Sequence, residues 1–180
     1  MNQLLLIPIL NTLVLMAWGK FLNYIGAFKT DKNNQSRILF FIISGSLLNT
    51  LIIILMYLKS DNNLFTLNSS FYGINYFFIV TALKEFSKII LFIFFSYIYN
   101  SIKKVRDGII QAVSIALGFA LVENILYALN YGPGFFILHS LIALIGHIAL
   151  AAIWGFAWSA AVYTPAPTGS RFYSAVAGKG

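Results

Sequence analysis

Glu123 stands in the second half of an apolar run from Gly108 to Tyr131, with Asn124 beside it. A charge near a bilayer centre costs about 2.5–3.5 kcal/mol on insertion scales, so a carboxylate in such a run marks a function or demands a partner. Helical spacing puts Phe119, Glu123 and Tyr127 at i, i+4 and i+8, on one face. Lys84, Glu85 and Lys88 interrupt a second apolar run, and His139 and His147 lie in a third. The four charged groups together represent roughly 10 kcal/mol on the insertion scale, so they must share a polar interior. Two carboxylates and an imidazole suit the activation of water, one carboxylate acting as base and the histidine polarising or protonating. A divalent metal such as zinc could join them, with Glu85, Glu123, His139 and His147 as its candidate ligands. The same groups suit a proton relay, and spacing alone does not choose between the two. A His-Glu-x-x-His helix is absent, and His139 and His147 are eight residues apart, so no single helix supplies a zinc site. Blander readings exist for each group: Glu85 and Lys88 at i, i+3 neutralise one another, Lys84 snorkels, and a lone intramembrane histidine packs through a hydrogen bond.

The elements that must position these groups follow from composition. Of 180 residues, 59% are hydrophobic and only 9% charged, where a soluble domain carries about 25%. This is the composition of an integral membrane protein. The net charge of +7 does not point to nucleic acid, because the basic residues gather at the ends of apolar runs, where they act as topology signals. The absence of cysteine removes disulfides, thiolate zinc sites and cysteine nucleophiles.

Five runs reach or nearly reach the roughly 20 residues that a spanning helix needs. They are Leu4 to Gly19 (or on to Phe28), Ile38 to Leu58, Phe71 to Tyr99, Gly108 to Tyr131, and Phe135 to Tyr163. The expected fold is therefore all-α and polytopic, with about five transmembrane helices and a polar site between the third, fourth and fifth. Segments one and two are expected at the periphery, because the interior of segment two holds no ionisable residue. Nothing basic precedes the first run, so a removable signal peptide is not expected. Gly132-Pro133-Gly134 makes a tight hairpin of the last two segments. Residues 1–163 read as one domain. Residues 164–180, rich in Pro, Gly and Ala, read as a flexible tail whose abrupt change of composition is also that of a non-native addition. Basic residues fill alternate loops (Lys20 to Arg37, Lys103 to Arg106, and the tail), which predicts an N-terminus outside and a C-terminus in the cytoplasm.

With those directions, a rise of 1.5 Å per residue sets the depths. Glu85 falls about 21 Å below Phe71, Glu123 about 12 Å below Tyr131, and His147 about 18 Å below Phe135. The three overlap in the outer half to middle of the membrane. His139 sits higher, about 6 Å below Phe135 and about 80° round the helix from His147.

Certain motifs resemble a known family. Lys84-Glu85-Phe86-Ser87-Lys88, Phe119-x-x-x-Glu123 with Asn124 and Tyr127, and His147 with Gly155 eight residues on are similar to the motifs of PrsW-type intramembrane proteases, relatives of the CAAX-protease-like (CPBP) membrane proteins. The family pattern is Glu-Glu-x-x-Lys on one helix, Phe-x-x-x-Glu on the next and a His on a later one. The most specific part is Asp107-Gly108-Ile109-Ile110 followed by Gly118-Phe119 and Glu123-Asn124, and the resemblance runs from about Thr81 to Trp158. It implies hydrolysis of a membrane-anchored protein within a bacterial cytoplasmic membrane. Glu85, Glu123 and His147 would be catalytic, with Lys88, Phe119, Asn124, Tyr127 and His139 in support. The best-known role of the family is site-one cleavage of an anti-sigma factor, a substrate that nothing in this sequence identifies. Lys84 departs from the pattern, standing where the family has its first Glu. Two alternatives accordingly remain: a catalytically silent member that binds membrane peptides or helices, and a proton- or ion-coupled transporter, the latter disfavoured by the lack of internal repeats.

Overall fold

Each apolar run folds as one helix. In a computed structural model that describes residues 3–24, 32–59, 70–99 and 102–163, these are α1 (Gln3–Tyr24), α2 (Lys32–Lys59), α3 (Ser70–Ile98), α4 (Val105–Tyr131) and α5 (Pro133–Tyr163). No strand occurs among the described residues. Over those residues, Gln35–Met56, Val105–Tyr131 and Ile142–Val162 are long and apolar enough to cross a membrane. The tail from 164 onward lies outside the described residues.

Two helices begin earlier than the hydropathy suggests, because backbone hydrogen bonding and apolarity have different limits. α2 starts at Lys32, a polar turn and a half ahead of Ile38. α4 starts at Val105 because Asp107 Oδ2 accepts hydrogen bonds from the backbone N–H groups of Lys103 (3.1 Å) and Lys104 (3.0 Å). A carboxylate at the third helical position satisfies donors that a helix start leaves open. Between α4 and α5 only Gly132 is non-helical, at φ +86°, a conformation that a residue with a Cβ rarely adopts. Pro133 then opens α5 at the one helical position where its missing N–H costs nothing.

α4 is the axis of the molecule. Every residue from Gln111 to Leu121 is buried, and a helix buried all round must be enclosed by others. Small side chains allow this. A Cβ on Gly118 would lie 1.8 Å from the Ile42 carbonyl oxygen, and one on Gly45 would lie 2.1 Å from that of Ile115, so α2 and α4 cross backbone to backbone. From α5, Gly155 rests against Ala112, and Gly108 of α4 against Ser159. α2 is therefore not peripheral, contrary to the expectation from the lack of charge in its interior. Helices in lipid associate through close packing of small residues and through hydrogen bonds, and α2 supplies both without an ionisable group. α1 packs on the core through partly buried side chains such as Val14 and Trp18. Leu47, Leu51 and Leu55 on α2, and Leu83, Phe86 and Ile90 on α3, form exposed apolar faces suited to lipid.

Candidate functional site

The outward turn of Leu83, Phe86 and Ile90 turns Lys84, Glu85 and Lys88 of α3 toward the interior. One turn beyond Lys88, Phe92 fixes this rotation. Its carbonyl accepts a hydrogen bond from Gln111 Nε2 of α4 at 3.3 Å, and its ring meets Trp154 of α5 edge-on with centroids 5.0 Å apart. Three helices are thereby locked directly beneath the charged groups.

Glu85, Glu123 and His147 come together as the depths predict. The His147 ring lies between the two carboxylates, Nδ1 at 3.0 Å from Glu85 Oε1 and Nε2 at 2.9 Å from Glu123 Oε2. Each carboxylate also pairs with an ammonium, Lys88 on Glu85 Oε1 and Lys84 on Glu123 Oε1. Lys88 Nζ is 3.1 Å from His147 Nδ1 as well. Nδ1 therefore faces both an acceptor and a donor, and can either give a proton to Glu85 or take a hydrogen bond from Lys88. The five side chains form one continuous chain, Lys84–Glu123–His147–Glu85–Lys88. Lys88 is wholly buried, and its ammonium lies 4.8 Å from the centroid of the Phe119 ring, a cation–π contact. Phe119 also faces His147, with ring centroids 6.4 Å apart. The expected Glu85–Lys88 pair is present. Lys84 does not snorkel but crosses to α4.

The remaining predicted residues form an adjoining cluster. His139 Nδ1 donates to Asn124 Oδ1 at 2.8 Å, and its ring stacks on Tyr127 with centroids 4.1 Å apart. His139 is thus a partner of Asn124 rather than of the glutamates. Two polar atoms here are buried without a hydrogen-bond partner among the described residues, Glu85 Oε2 and Asn124 Nδ2.

The sequence reading missed Asn49. From α2 its Nδ2 donates to the Phe119 carbonyl at 2.7 Å, while Ser46 Oγ donates to the Gly118 carbonyl at 2.9 Å. These bonds hold α4 one turn before Glu123. A neutral amide inside an apolar run is the signal that could have found it.

Residues 34–179 match the family model described as PrsW family intramembrane metalloprotease. The chain is 34% identical over 114 residues to the Protease PrsW of Oceanobacillus iheyensis, an overlap of 63% of this chain and 51% of that protein. It is 38% identical over 74 residues to the Protease PrsW of Geobacillus kaustophilus, covering 41% and 33%. To that of Shouchella clausii it is 30% identical over 114 residues, covering 63% and 51%. The chain thus spans about half the length of the curated relatives it matches, or less. No solved structure matches it.

The family's description names a metal, and carboxylates with an imidazole are donors of the right kind for zinc. Their arrangement here does not close on one ion. His147 presents its two nitrogens, which diverge, to different carboxylates, so no single point is shared by the ring and both glutamates. Oxygens that would ligate a cation are taken by Lys84 and Lys88. Among the described residues no group of three His, Asp or Glu side chains is placed to hold a metal.

Proposed function

This chain belongs to the PrsW family of intramembrane proteases, and on that footing we propose that it hydrolyses a peptide bond of a membrane-anchored protein, using a water activated by Glu85, Glu123 and His147. The observation that carries the reading is the His147 ring hydrogen-bonded to two carboxylates from two other helices. Such a group can move protons between an attacking and a leaving atom. Glu85 Oε2, buried and unpartnered, is the acceptor for the proton of the water. As that proton moves to Glu85, the water oxygen bonds to the carbonyl carbon and the C=O electron pair becomes an oxyanion. Asn124 Nδ2, also buried and unpartnered, is a donor for that oxyanion, and loss of such a donor costs about 3 kcal/mol of transition-state stabilisation. The proton passes from Glu85 to His147 across their shared hydrogen bond. His147 delivers it to the leaving nitrogen as the oxyanion pair re-forms C=O and the C–N bond breaks, giving an amine and a carboxylic acid that then ionises. Lys88 and Phe119 hold Glu85 and His147 in register for these transfers, and Tyr127 with His139 orients Asn124.

The chain lies in the bacterial cytoplasmic membrane with its N-terminus outside and its C-terminus in the cytoplasm, since its basic residues fill only alternate loops. Residues 1–163 act as one domain in this reading. An anti-sigma factor as substrate rests on the resemblance alone. A specific observation favours a second reading, a catalytically silent member that binds membrane peptides: Lys84 stands where the family has Glu and is paired with Glu123.

The test is full-length chain in proteoliposomes with a panel of membrane-anchored peptides, run in heavy-oxygen water. Hydrolysis puts heavy oxygen in the new C-terminal carboxylate of the product. A wild type that cleaves no peptide, while Lys84→Glu cleaves, establishes the silent reading instead.

A further inference from the structure

The five-residue chain of charges is balanced without any cation from outside. Two carboxylates, Glu85 and Glu123, face two ammoniums, Lys84 and Lys88, so the cluster is neutral with a neutral imidazole and positive with an imidazolium. In a buried site charge must be compensated locally, because desolvated charges are costly. A divalent cation added to this set meets no net negative charge to offset it. We propose that the Lys84 ammonium occupies the place of a divalent cation at Glu123, so that this chain's site works without a metal, and that Lys84→Glu converts it to a metal site.

The two halves of the proposal follow from one residue. Lys84 blocks Glu123 Oε1, and its positive charge repels a second cation from the same oxygen. Replacing it with glutamate removes one positive charge and adds one negative. The site's charge then falls by two units, the charge of one divalent ion. The freed Glu123, the new carboxylate at position 84 and His147 Nε2, which lies 2.9 Å from Glu123 Oε2, would be oxygen and nitrogen donors on one side of the cluster. That mixture is one zinc accepts. Lys88 plays a different part. It is the pair of Glu85 and is wholly buried, so it remains as the counter-charge there in either form.

This deepens the catalytic reading of the same cluster, but its test reads metal rather than cleavage, so each can fail without the other. Wild type, Lys84→Glu, Lys84→Met and Lys84→Glu/Glu123→Gln are purified in detergent on a histidine-free tag. Each is dialysed against zinc and against a chelator, then analysed for metal content and thermal unfolding. Wild type is expected to hold no zinc above background, with a Tm indifferent to both treatments. Lys84→Glu is expected to hold stoichiometric zinc, with a Tm raised by zinc and lowered by chelator, and the double variant to lose both effects. Stoichiometric zinc on wild type overturns the proposal. So does a folded Lys84→Glu that holds none. If Lys84→Glu fails to fold, Lys84→Met decides: it removes the blocking ammonium, and zinc retention equal to that of wild type rejects the idea.

Discussion

Asn49 Nδ2 donates a 2.7 Å hydrogen bond to the carbonyl oxygen of Phe119, fixing the backbone of α4 four residues before Glu123. Asn49 is fully buried, so its bond has no solvent to replace it. Asn49→Ala is expected to destabilise the protein by about 1 kcal/mol, the usual worth of one buried hydrogen bond. Because the residue positions Glu123 without touching substrate, kcat should fall while KM is retained. Chemical unfolding in detergent and steady-state cleavage check the two effects, and wild-type values in both would remove Asn49 from the account.

The crossing of α2 and α4 gives a sharper contrast. Gly118→Ala and Gly45→Ala each drive a Cβ into a backbone carbonyl of the facing helix, at 1.8 and 2.1 Å. Backbone cannot swing aside as a flexible side chain can, so each should cost about 3 kcal/mol or more. Gly146→Ala meets nothing within 4 Å, and alanine's better helix propensity should leave stability unchanged or raise it by up to about 1 kcal/mol. Thermal unfolding of the three variants in one detergent compares them directly. Equal effects at Gly118 and Gly146 would show that the helices do not cross at Gly118.

Topology is open to labelling because the chain has no cysteine. Single cysteines at Asn62 and Ser101 fall in stretches between apolar runs, of opposite basic content. The positive-inside rule predicts that an impermeant thiol reagent reaches Asn62→Cys, and not Ser101→Cys, in right-side-out vesicles. The reverse pattern contradicts the orientation, and with it the placement of the site in the outer half to middle of the membrane.

The helices were legible because each is a nearly unbroken apolar run, and the 1.5 Å rise turned positions into depths. That brought Glu85, Glu123 and His147 to one level, where they meet. Depth says nothing about rotation, however. The rotation of α3 decides that Lys84 reaches Glu123, and that of α5 decides that His139 serves Asn124 instead of the glutamates. Both depend on packing between helices, such as Phe92 against Trp154, which no single run of sequence encodes. α2 was misjudged for a related reason. Its contribution is carried by Gly45, Ser46 and Asn49, which carry no charge and leave a hydropathy profile almost flat.

The central claim is that Glu85, Glu123 and His147 act together on one water. The measurement that tests it most directly is cleavage of a membrane-anchored substrate, in proteoliposomes, by Glu85→Gln, Glu123→Gln and His147→Ala, each confirmed folded by circular dichroism. These residues share hydrogen bonds and residues that act as a unit are non-additive. Each single change is therefore expected to abolish turnover, by on the order of a thousandfold or more, and the double change Glu85→Gln/Glu123→Gln to be little worse than either alone. Wild-type cleavage by folded Glu85→Gln and Glu123→Gln would contradict the account and place the chemistry elsewhere in the chain.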